Sequence, residues 1–148
     1  MDQVKNEYTP PDLMIAFTKC IEADRYDDAM ALFNVAGTYS AFDARCVADE
    51  TAHDAFQALM ADYPVDDAKQ PTMFELFNKW QAPNSPEMAK FCTDLKRLGP
   101  PSYYPGYMIA HGMGAIFGAG GGLVKDFDAK KAWKDSLDKY MHCDVSDL

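Results

Sequence analysis

An all-α fold, a single compact bundle of about six to seven helices, follows from three features of the 148-residue sequence. Apolar residues recur every three or four positions along most of it, which sets them on one face of a helix. Residues that start helices (Ser, Thr, Asp, Pro) and residues that stop them (Gly, Pro) bracket those runs. No segment shows the alternation of a half-buried strand. With 48% hydrophobic and 13% aromatic residues, the chain has the apolar area needed to offset its ordering entropy.

Residues 1–9 read as an extended lead-in. Thr9 can cap the first turn, Pro10 suits the first helical position and Asp12 complements the dipole, so a first helix is predicted over 10–23 with Leu13, Phe17, Cys20 and Ile21 facing inward. Asp24 and Asp27 announce a second, carrying Tyr26, Ala29, Met30, Phe33 and Gly37, with a joint expected between residues 37 and 42. A third carries Ala52, Ala55, Phe56, Leu59 and Met60; it starts somewhere in 41–49 and ends before Pro64. After a polar loop over 63–70, Thr72 and Glu75 have the spacing of a capping box and open a fourth helix bearing Phe74, Leu76, Phe77 and Trp80. Ser85-Pro86 starts a fifth, with Met88, Phe91, Cys92, Leu95 and Leu98 inward, and Gly99-Pro100-Pro101 stops it.

From Gly106 onward small residues fall at every fourth position (106, 110, 114, 118 and 122), a stripe along which another backbone can approach closely. The sixth helix is therefore expected to be central and buried. Its uncharged surroundings, residues 102–124, are long enough to span a bilayer but too rich in glycine and too weakly apolar for stable insertion. Gly118-Ala119-Gly120-Gly121-Gly122 would end it with a flexible bend; the glycines lack the Lys-Ser/Thr of a phosphate loop and the strand of a dinucleotide fold. Asp126 opens the last helix, with Ala129, Trp133, Leu137, Tyr140 and Met141 on its apolar face, and residues 144–148 form an acidic tail. The start of the second helix faintly resembles a tetratricopeptide unit, but no second copy recurs at the required period.

Fourteen Lys and Arg against 23 Asp and Glu give a net charge of −9, with no basic run to gather phosphates, so nucleic acid is excluded as a partner. The four cysteines, Cys20, Cys46, Cys92 and Cys143, lie far apart, which argues against a clustered metal or redox motif; their even number reads as two disulfides of unspecified pairing, with buried free thiols as the alternative. Disulfides belong to an oxidising compartment, so a periplasmic or secreted protein is expected, its signal peptide removed and an initiator Met added. Neither a metal nor a cofactor is expected.

Candidate functional residues fall into three groups. The acidic pairs Asp27/Asp28, Asp49/Glu50 and Asp66/Asp67 do not have the spacing of an acid/base dyad, and they read either as solvated faces or, for Asp27, Asp28, Asp49 and Glu50, as a rim for a basic partner. Tyr103, Tyr104 and Tyr107, set among prolines, either anchor an interface or cover the core at a tight turn. His53, His111 and His142 have no metal-binding spacing; His111 is expected to be a hydrogen-bonded residue of the packed helix, and becomes chemically interesting only beside a cysteine or carboxylate.

The cysteine-bearing helical chain and its segment 99–113, Gly-Pro-Pro-Ser-Tyr-Tyr-Pro-Gly-Tyr-Met-Ile-Ala-His-Gly-Met, resemble small periplasmic proteins encoded beside bacterial type VI secretion effectors. The likeness is one of general type and transfers no functional residue. It implies an immunity protein, not an enzyme, that neutralises a secreted toxin by direct binding. A helical adaptor or structural subunit of an envelope complex is the alternative, and a small-ligand binder or enzyme using His111 a further one.

Overall fold

In the computed structural model, which describes Met1, residues 3–118 and residues 121–148, Thr9 opens the first helix as its chemistry requires. Its hydroxyl accepts from the Asp12 amide while Asp12 accepts from the Thr9 backbone N–H, and α1 (Pro10–Glu22) buries Leu13, Met14, Phe17 and Ile21. Cys20, expected on that stripe, is only half-buried at its edge. Lys69 closes the far end: its ammonium donates to the carbonyls of Ile21 (2.6 Å) and Glu22 (3.3 Å) and pairs with Asp24 (2.8 Å).

The central element is α2 (Tyr26–Cys46), a continuous helix of 21 residues. The joint expected near residues 37–42 is absent. Gly37, Thr38 and Ser40 are poor helix formers, but Ala36, Thr38 and Tyr39 are fully enclosed, and burial outweighs propensities of under about 1 kcal/mol per residue. Thr38 also returns its hydroxyl to the Asn34 carbonyl (2.7 Å), so no polar group is stranded there. Small side chains at Ala29, Ala31, Ala36, Gly37, Ser40 and Ala44 let neighbours close in around α2. It is this helix, and not the small-residue stripe beginning at Gly106, that forms the axis of the bundle.

A 3-10 turn (Glu50–Ala52) leads to α3 (Ala55–Asp62), which starts later than expected. α4 (Gln70–Gln81) also departs from expectation, starting at Gln70, so that Thr72 and Glu75 lie inside it and make no capping box. Ser85 caps α5 (Pro86–Leu98) through the Met88 amide, and Gly99 ends it with a positive φ of 81°. Two short helices, α6 (Gly106–His111) and α7 (Met113–Phe117), replace the single long sixth helix. Asp128, not Asp126, caps α8 (Ala129–Asp135), which continues into a π-helical turn (Ser136–Tyr140). Among the described residues there is no strand, only an isolated antiparallel bridge between Val47 and Leu123.

The core is a run of tilted and edge-on rings: Phe17, Phe33 and Phe56 on one side of α2, Tyr39, Phe42, Trp133 and Phe127 on the other. One disulfide, Cys92–Cys143, joins α5 to the C-terminal segment, while Cys20 and Cys46 are free thiols; the expectation of two bonds is corrected to one. The acidic tail is held down, with Asp147 on Lys96 (2.6 Å) and the Leu148 carbonyl accepting from Lys134 (2.8 Å). The lead-in segment packs on the proline turn, where the Asn6 carbonyl accepts from the Ser102 amide (2.9 Å).

Candidate functional site

The C-terminal end of α2 is a platform on which residues 103–124 are mounted. Its key residue is Asp43, one turn beyond Tyr39 on the buried stripe and only 2% exposed. Both Tyr103 and Tyr107 donate their hydroxyls to its Oδ2, at 2.8 and 2.9 Å. Burial pushes the carboxyl up to about 6, against the two tyrosine donors, which act to lower it. The tyrosines are raised well above the ordinary phenol range, first by burial and then by the Asp43 charge. Tyr103 and Tyr107 are thus structural anchors that fix where the chain enters α6, and both are half-buried; of the three, Tyr104 is the one that faces solvent, at 63% exposed.

Beyond that anchor, Met108 is buried in a small satellite core with Val47, Ala52 and Ala55. The chain turns at Gly112 and projects α7 from the surface. Asp49 accepts from the Gly114 amide (2.7 Å) and Thr51 Oγ1 accepts from the Met113 amide (2.9 Å), so the 3-10 turn supplies the cap that the short helix lacks. Hydrogen bonds from Thr51 first, then from Gly114, hold the Asp49 carboxyl below its usual range. Gly118 ends α7 in the left-handed region (φ 66°). Ala119 and Gly120, part of the predicted bend, lie outside the described residues. The returning segment is tied to the platform by the Ala48 amide donating to the Gly122 carbonyl (2.9 Å) and the Val124 amide to the Cys46 carbonyl (2.8 Å).

The segment predicted to be a buried central helix therefore lies on the outside. α7 buries none of its residues, and Ile116 and Phe117 are 70% and 73% exposed, with Met113 on the same face by helical spacing. Leu123 and Val124 add further exposed apolar area on the return. Periodic small residues serve two short helices on a surface as well as one helix in a core, because Gly112 takes an extended conformation (ψ 151°) that interrupts the hydrogen-bond ladder. A methyl group at Gly112 would overlap the Asp49 carboxylate and crowd Ala52. Gly112→Ala is expected to break the Asp49 cap on Gly114 at a cost of about 1–3 kcal/mol, read as faster exchange of the Gly114 amide with the α1 amides unchanged.

The acidic candidates are not gathered into one rim. Asp27 and Asp28 stand at the start of α2 and Asp49 and Glu50 beyond its end, about 30 Å away along the axis. Asp28 is engaged by Arg25 (2.7 Å), whereas Asp49 holds the start of α7, Glu50 follows it in the 3-10 turn and Asp54 meets His111 at the end of α6. His111 is hydrogen-bonded as expected, with Nε2 2.9 Å from Asp54 Oδ1, but it lies at the surface and not on a packed helix. Among the described residues no cluster of His, Cys, Asp or Glu could hold a metal ion, and no helix is long and apolar enough to cross a membrane. Asp43, which sequence reasoning does not single out, carries a signal there all the same: an acid at core spacing between Tyr39 and Cys46.

Neither family models, nor curated proteins, nor solved structures give a match to this chain.

Proposed function

We propose that the chain is a protein-binding inhibitor, an immunity protein that docks on a secreted toxin through α7 and works in an oxidising compartment. The observation that carries this reading is the projection itself: Met113, Ile116 and Phe117 share one face of a helix with no buried residue, held on a turn that carries Asp49 and Glu50. Exposed apolar side chains grouped in this way mark interaction sites, and a few large ones dominate binding energy when they enter a socket. The acids at the base suit a partner whose socket has a basic margin, and charge of this kind speeds encounter. Cys92–Cys143 is compatible with such a compartment. A structural subunit of an envelope complex is the second reading, favoured by the same apolar exposure.

Co-production of the chain with each toxic product of its neighbouring genes separates the two readings. As an inhibitor it restores growth, and the exchange Ile116→Asp with Phe117→Asp abolishes protection while leaving thermal stability unchanged, because both side chains are already in solvent. Absence of protection by the parent chain, with no complex formed at low salt, overturns the inhibitor. Full protection by the double variant moves the docking surface elsewhere. Glu50→Gln is expected to slow association at low salt, whereas Asp27→Asn with Asp28→Asn, at the other end of α2, leaves it unaltered; stopped-flow mixing reads both.

A further inference from the structure

We propose that the groove between α2, α3 and the π-helical turn is a separate ligand site, built for a small carboxylate with an apolar body. The groove holds about 490 Å³, within the range of small-molecule sites, and its apolar wall is Phe33, Phe56 and Met60. Arg45, Gln57 and Tyr140 stand at its edge.

Arg45 gives the site its sign. In a chain with nine more negative than positive charges, this half-buried guanidinium pairs with no acidic side chain among the described residues. It donates instead to two backbone carbonyls, those of Ala41 and Asp135, which occupies two of its five N–H groups. The Asp135 carboxylate turns away from it to Lys131 (2.8 Å) and Lys139 (2.9 Å). A guanidinium with donors to spare beside an apolar wall matches a carboxylate, which it can hold in a two-point contact. Tyr140 is the second polar element. Its hydroxyl lies over Gly37, where only the lack of a side chain makes room, and it makes no hydrogen bond among the described residues. His53 is committed at one ring nitrogen, with Nε2 2.9 Å from the Val47 carbonyl. One guanidinium in the lining of this groove suits a single negative charge, so a carboxylate fits better than a phosphate dianion.

The test is calorimetric titration of the full chain with decanoate, kept below its micelle concentration, against decanol and decyltrimethylammonium. Decanoate is expected to bind saturably at one site and decanol about tenfold more weakly, the cation not at all. Arg45→Gln should lose about tenfold in decanoate affinity. Gly37→Ala, which favours the helix yet displaces Tyr140, should weaken binding with the fold intact. In the parent chain, decanoate should shift the amides of residues 40–45 and 56–60. Equal affinity for decanol, an unaffected Arg45→Gln variant, shifts centred elsewhere, or no binding would each overturn the site.

Discussion

Removing the Cys92–Cys143 bond, by reduction or as Cys92→Ala with Cys143→Ala, is expected to lower stability by about 4 kcal/mol and the midpoint of thermal unfolding by about 10 °C. The bond closes a loop between positions 51 residues apart, and the conformational freedom it denies the unfolded chain grows with the logarithm of that length. It also anchors the end of the chain: Cys143 is buried beside Leu137 and Met141, next to the π-helical turn. Thiol titration in denaturant should find two reactive thiols per chain before reduction, Cys20 and Cys46, and four after. Four thiols without reductant, or an unfolding midpoint indifferent to reductant, would contradict this pairing.

How far the sequence disclosed the fold depended on whether local chemistry or tertiary burial decided each element. α1 and α5 were legible at both ends because Thr9-Pro10, Ser85-Pro86 and Gly99 act on the backbone within one turn. α2 reads as two helices in the sequence because Gly37, Thr38 and Ser40 weaken it locally, whereas burial of Ala36, Thr38 and Tyr39 in the folded chain keeps it continuous. The failure at residues 106–118 has the opposite character. Spacing of small residues says that one face is bald without saying what covers it, and here the face carrying Met113, Ile116 and Phe117 is left in solvent. For the candidate site, proximity in sequence does not sort the three tyrosines: Tyr103 and Tyr107 share a carboxylate 60 and 64 positions away, while Tyr104 between them faces outward. An even cysteine count likewise carried no information on how many would pair.

The second large effect concerns Asp43. Its folded-state pKa of about 6 lies above its ordinary value of 3.8, so the folded protein holds this proton more tightly than the unfolded chain does. The stabilisation that results is fully present below about pH 4 and is lost as pH rises through 6. The difference amounts to about 3 kcal/mol once the carboxylate is ionised. Other carboxylates, including Asp49, Asp94 and Asp135, are shifted downward and act in the opposite sense, so the contribution must be read by difference. Denaturant unfolding of Asp43→Asn beside the parent should show the variant gaining about 3 kcal/mol relative to the parent between pH 4 and pH 7.5. A constant gap across that range would mean that Asp43 titrates as an ordinary carboxylate. Tyr103→Phe should cost about 1.5–3 kcal/mol at pH 7.5, where the hydroxyl donates to a charge, and about 1 kcal/mol at pH 4, where it donates to a neutral acid. The same substitution loosens the point from which α6 and α7 are hung. Its effect on partner binding should therefore follow its effect on stability with pH, although no atom of Tyr103 is proposed to touch the partner.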